Sequence, residues 1–198
     1  DAVIESRARD EQLTVRIAYS VFTQNKGQEL GDFERWTGMV KPGDGTDFYR
    51  HNGAGEMLVF SAADFEDFRE PGPARAPAME GELESVVRLL LEKGWRFRIH
   101  ATYDESIGRI LDVYERVAGE IPFDGLRWTI DHAETISPRN IDRVRALGGG
   151  IAIQHRMAYQ GEFFLQRYGA DALARTPPGR RMLAAGVPVG AGTGATRV

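Results

Sequence analysis

The chain has 198 residues, 42% hydrophobic and 27% charged, the ordinary make-up of a globular domain. A formal net charge of −4 leaves no basic footprint for nucleic acid, and the absence of cysteine excludes disulfides and thiolate metal sites. No apolar run approaches the roughly 18 residues of a membrane span, and the first ten residues carry no signal-peptide pattern, so no membrane partner and a cytoplasmic location are expected.

Taken in chain order, residues 2–10 read as the tail of a helix. Leu13–Phe22 is rich in β-branched and aromatic residues and predicts a buried strand. Residues 23–55 form a glycine-rich loop insertion, with a short helix near Asp32–Trp36 and a short strand near Gly38–Lys41. Met57–Phe60 is a short apolar run, and the proline-rich 71–77 stretch bounds it as a linker. Glu80–Lys93 predicts a helix whose stripe is Leu83, Val86, Val87, Leu90 and Leu91, stopped by Gly94. Trp95–His100 alternates as a strand. Asp104 is placed as the cap of the next helix.

Arg127–His132 predicts another strand, followed by a helix that Ser137 caps and Pro138 opens. Gly148–Gly150 ends that helix. Ile151–His155 is a strand, 161–168 a short helix on a long loop, Thr176-Pro177 a helix start, and Val187–Ala191 a last strand. Strand and helix alternate at close to the roughly 31-residue spacing of a (β/α)₈ barrel, which predicts consecutive right-handed βα units in a parallel sheet. A full barrel of this type takes about 250 residues. The expected fold is therefore a single α/β domain over 1–198, a parallel (β/α) barrel of the TIM type, incomplete in this chain. An open α/β sheet binding ligand at a switch point is a weaker alternative. An incomplete barrel predicts exposed sheet edges and, through them, a homo-oligomer.

His100 and His132 close successive strands of this pattern. Neighbouring parallel strands lie about 4.8 Å apart, so two strand-end imidazoles can share one divalent ion, and zinc accepts neutral imidazole readily. His155 also ends a strand and is read, with Tyr159, as a substrate contact or a structural residue. Alternation turns Asp131 away from the metal, while Glu134 is placed to orient a ligand imidazole. His51, in the glycine-rich stretch, reads as a surface or lid residue. Lys41 is a candidate for a carbamylated bridging lysine, set against the plainer reading of a solvated loop lysine.

Arg98-Ile-His100, Ile130-Asp-His-Ala-Glu134 with Ser137-Pro138, and Gly186-Val-Pro-Val-Gly-Ala-Gly-Thr193 together resemble amidohydrolase family 3, a family of metal-dependent hydrolases. The resemblance runs from about Leu13 to the end. It implies a (β/α)₈ barrel of which this chain covers roughly strands 3 to 8, one or two divalent ions (usually zinc) at the C-terminal face, and a small-molecule substrate cleaved at an amide-like, non-peptide carbon–nitrogen bond. It assigns His100 and His132 as the histidines ending strands 5 and 6, and puts Lys41 near the lysine that some members carry on strand 4. Two departures stand out. The His-x-His of strand 1 is absent, and Gly194 occupies the position of the strand-8 aspartate, the proton acceptor and a ligand in the family. The expectation is therefore an amidohydrolase-type hydrolase whose present chain is an inactive fragment that binds metal weakly. A non-catalytic relative serving as a binding or scaffold module is the alternative.

Overall fold

A computed structural model describes residues 2–65, 67–70, 72 and 76–192. Six parallel strands in the order β1-β2-β3-β4-β5-β6 form a curled half-barrel with helices along its outer face, an incomplete α/β barrel. The strands are β1 (Ile17–Val21), β2 (Tyr49–Ala54), β3 (Phe97–Ala101), β4 (Trp128–His132), β5 (Gly150–Gln154) and β6 (Val189–Gly192). Spatial order follows chain order throughout, so the described sheet has no switch point and the open-sheet alternative falls away. Helix α1 (Ala2–Arg9) leads in, and α2 (Glu29–Met39), α3 (Met79–Glu92), α4 (Asp104–Ala118) and α5 (Pro138–Ala146) connect the strands. After β5 the chain makes an excursion through α6 (Met157–Tyr168), α7 (Ala170–Leu173) and α8 (Gly179–Ala184) before β6. No described helix is long and apolar enough to cross a membrane.

One continuous core lies between sheet and helices. Alternate residues of the central strands supply its sheet side, Phe97, Ile99 and Ala101 from β3 with Trp128 and Ile130 from β4. The stripe Leu83, Val86, Val87 and Leu90 of α3 and Ile107, Ile110, Leu111 and Tyr114 of α4 close over them. The remaining strand residues, among them Arg98, His100, Thr129 and Asp131, turn to the inner side of the curl. Ser137 caps α5 by accepting from Asn140 N at 3.3 Å, with Pro138 at its first position.

Three sequence expectations change. The 23–55 stretch is not a loop insertion, because it contains α2 and β2, and the short strand expected near Gly38–Lys41 lies instead at Tyr49–Ala54. β1 is shorter than Leu13–Phe22 and only partly buried, since it is the edge of the described sheet and has β2 as its sole partner. Asp104 does not cap α4; Tyr103 stands at that position, and Asp104 Oδ1 instead accepts from Ser137 N at 2.6 Å and Asn140 Nδ2 at 2.7 Å. That carboxylate ties the start of α4 to the start of α5, where the aligned amides favour negative charge.

Candidate metal centre

β3 and β4 run in register, with His100 beside Asp131 and Ala101 beside His132. Register alone would put His100 and His132 on opposite faces. His132 reaches the site because the chain leaves the strand there with positive φ, 80° at His132 and 51° at Ala133. The two imidazoles then lie with ring centroids 4.1 Å apart. A third side chain, Glu56, completes the group. Its Oε2 stands 3.2 Å from His132 Nε2 and 3.5 Å from His100 Nδ1.

Glu56 is delivered by Gly53-Ala54-Gly55 at the end of β2. A β-carbon on Gly53 would fall 2.1 Å from the carbonyl oxygen of Arg96, and one on Gly55 would fall 2.2 Å from that of Arg98, with φ of 141° and 121°. Only glycine lets β2 approach β3 this closely. The ladder runs on past the strand: Ala54 N donates to Arg96 O at 2.8 Å, and His100 N donates to Glu56 O at 3.0 Å. The backbone thus fixes Glu56 beside His100.

The imidazoles are held from behind. His100 Nε2 stands 3.0 Å from the main-chain oxygen of Asp64, which can only accept, so Nε2 carries the proton and Nδ1 turns its lone pair toward Glu56. The side-chain amide of Gln154 lies 2.6 Å from His132 Nδ1. Asp64 is itself anchored, its Oδ2 accepting from Thr102 N and Tyr103 N at 3.2 Å. The Phe65 ring packs edge-on against His100 with centroids 5.1 Å apart. The adjoining His100 and His132 imidazoles hold the Glu56 carboxyl well below the usual carboxylate range, against its burial. Burial opposes a charged His132, but the Glu56 hydrogen bond and the charges of Glu134, Glu56 and Asp131 outweigh it and raise its pKa above the usual 6.5. A carboxylate and two imidazoles so placed favour a cation among them.

The donor set fits a divalent ion. Zinc bonds nitrogen and carboxylate oxygen at about 2.0–2.2 Å, so tetrahedral ligands stand roughly 3.3–3.6 Å from one another. The Glu56–His distances of 3.2 and 3.5 Å match that spacing, and all three ligand atoms lie within 4.8 Å of one another. Among the described residues this is the one group of three or more His, Asp or Glu side chains with such geometry.

The other sequence candidates fall elsewhere. Lys41 does not join the pair: it is exposed in the turn before β2, its N–H on Asp44 Oδ2 at 2.7 Å and its carbonyl 3.1 Å from His51 Nδ1. Glu56, just past β2, stands with the two histidines instead. His51 is no lid residue; it is buried in β2 with its ring 4.6 Å from that of Trp95. Asp131 does not face away. It lies on the inner side with His100 and pairs with Arg98 Nε at 2.5 Å, while burial pushes its carboxyl up against the opposing pull of Arg98. Glu134 is buried but hydrogen-bonds to neither imidazole; its nearest cation is Arg156 Nε at 4.0 Å, and burial raises its pKa. The orienting task expected of it falls to Asp64 and Gln154. His155 and Tyr159 are exposed after β5 and pack on one another at 5.0 Å, apart from the three ligand atoms. Gly194 lies outside the described residues.

The amidohydrolase family model matches residues 2–197. No curated protein matches the sequence. Among solved structures, an uncharacterized metal-dependent hydrolase from Pyrococcus furiosus is similar over 98% of this chain and 40% of its own, at 16% identity and a TM-score of 0.69. One from Pyrococcus horikoshii OT3 is similar over 98% and 38%, at 14% identity and a TM-score of 0.69. A prolidase complexed with N-methylphosphonate-L-proline is similar over 98% and 52%, at 15% identity and a TM-score of 0.51. The chain thus spans about 40% of the length of the first two.

Proposed function

The chain belongs to the amidohydrolase family, and on that premise we propose that it carries part of the active site of a metal-dependent hydrolase acting on amide-like, non-peptide carbon–nitrogen bonds of small molecules. The observation that carries this reading is the convergence of Glu56, His100 and His132 from the ends of three successive parallel strands. That end of the strands is where barrels of this type place their chemistry. The three side chains would hold a divalent ion, zinc by the chemistry of the donor set, which when bound supplies Lewis acidity toward an amide carbonyl.

The residues around the group have definable tasks. Asp64 O and Gln154 fix the ring planes, so the ligand atoms need not be ordered when a substrate arrives. Phe65 shields one edge of His100 from water. His155, exposed on the turn after β5, and Tyr159, exposed in the first turn of α6, are assigned to substrate contact. Gly194 bears on turnover, since a glycine cannot take up the proton that the family's aspartate accepts at that position.

Zinc and cobalt titrations of this chain, followed by elemental analysis and the cobalt absorption spectrum, test the metal reading. One equivalent is expected, lost on Glu56→Ala; no stoichiometric binding would overturn it. Assay against N-acyl and N-formyl amino acids separates the two functional readings. Turnover by the chain, or by Gly194→Asp, supports the hydrolase. No turnover in either together with no metal binding favours the non-catalytic relative, a reading that Gly194 itself suggests.

A further inference from the structure

Outside the metal centre, a cleft of about 1180 Å³ opens where the first turns of α4 and α5 face the α6–α8 excursion. None of Glu56, His100 and His132 lines it. Its lining includes the apolar residues Ile136, Phe164, Tyr168 and Pro177, with the Phe164 and Tyr168 rings stacked at 4.6 Å. It also includes Arg109, Arg175, Arg180 and Arg181. Arg109 is neutralised by Glu80 at 2.5 Å. Arg175, Arg180 and Arg181 are exposed and have no ion-pair partner among the described residues.

The cleft also holds two carboxylates. Asp104 is committed to Ser137 and Asn140 across the α4–α5 contact, and Glu105 is exposed. Two carboxylates against three unpaired guanidiniums leave the cleft with a small positive excess, although the whole chain carries a net charge of −4. Low-dielectric walls concentrate such a field, and the guanidinium fork matches carboxylate and phosphate oxygens. The volume is slightly above the roughly 300–1,000 Å³ typical of small-molecule sites.

We propose that this cleft binds a small organic anion, its carboxylate or phosphate head on Arg175, Arg180 and Arg181 and an aromatic or alkyl body against Phe164 and Tyr168. The site is separate from the metal centre and does not depend on the hydrolase reading.

The probe is 2-naphthoate, titrated into the full chain by calorimetry with and without a chelator, alongside neutral 2-naphthylmethanol and inorganic phosphate. One saturable site is expected for 2-naphthoate, unchanged by chelator or by Glu56→Gln and weakened as salt rises. The triple variant R175Q/R180Q/R181Q, with its fold verified by circular dichroism, should bind at least about tenfold more weakly. If that variant does not fold, each single glutamine variant should show a several-fold loss. Equal affinity for the neutral analogue, unchanged affinity in the variants, or no saturable binding at millimolar probe would overturn the assignment. Inorganic phosphate binding as tightly as 2-naphthoate would overturn the role given to the apolar residues.

Discussion

Glu56 Oε2 and His132 Nε2 meet at 3.2 Å across 76 residues of sequence, from strand ends that are not neighbours in the sheet. The contact is possible because β3 lies between them and presents His100 to the same carboxylate oxygen. Removing Glu56 takes away the one negative donor of the group. Glu56→Ala should therefore cost more zinc affinity than the roughly 10- to 100-fold attached to losing an outer partner of a ligand. His100→Ala and His132→Ala should do the same, each measured by competition with a chromophoric chelator. Glu56→Ala binding zinc as tightly as the parent chain would remove the carboxylate from the ligand set.

Gly55 sets where Glu56 can stand. A methyl at this position would meet the Arg98 carbonyl at 2.2 Å, on a residue whose φ is 121°. Both the contact and the conformation penalise any side chain, so Gly55→Ala should destabilise the fold by about 2–4 kcal/mol. Urea denaturation measures this, and a zinc titration of the same variant should show weakened binding as Glu56 moves. A variant with parental stability would mean that the approach of β2 to β3 is slack.

Much of the outer scaffold was legible in the sequence. Stripes such as Leu83–Leu90 and Ile107–Tyr114 bury one helix face each, and β3 to β5 alternate between core and inner side. β2 was not legible, because Tyr49-Arg-His-Asn-Gly-Ala54 has neither alternation nor β-branched residues. It is a strand on account of its neighbours: β1 pairs along it, and glycines admit β3. Glu56 was missed with it. One available signal was the separation of β1 from β3, more than twice a usual βα repeat, which calls for another strand between them. His100 and His132 do stand together, but the inward turn of His132, which leaves it on the same side as Asp131, depended on a positive φ that residue type does not announce.

Glu84 links α3 to α4. Its Oε1 accepts from Arg88 Nη2 at 2.9 Å and its Oε2 from Arg116 Nη2 at 3.1 Å. Those hydrogen bonds lower its pKa below the usual 4.5. A carboxyl whose folded-state pKa is depressed adds stability above its unfolded pKa and loses it as pH falls through the folded value. Glu84→Gln should thus cost no more than about 1 kcal/mol near neutral pH, since the pairs are partly exposed and screened. The gap between variant and parent should close below about pH 4 and shrink in 1 M salt, as read from denaturation midpoints. A gap that persists in acid would point to packing instead of charge.

Gln154 stands 2.6 Å from His132 Nδ1, and its amide can present either of two faces to the ring. With its NH₂ toward Nδ1, it leaves the proton on Nε2, which donates to Glu56. With its carbonyl toward Nδ1, it holds the proton there and frees the Nε2 lone pair for an ion. Only the second arrangement makes His132 a ligand. Gln154→Leu keeps the approximate bulk and removes the choice, so zinc affinity should fall by about 10- to 100-fold. Gln154→Glu can only accept, which fixes the ligating tautomer and should preserve affinity. Chelator competition gives the affinities, and the nitrogen chemical shifts of His132 in zinc-free protein report the tautomer directly. Leucine and glutamate variants that bind zinc equally well, with unchanged nitrogen shifts, would show that His132 is oriented by the backbone alone.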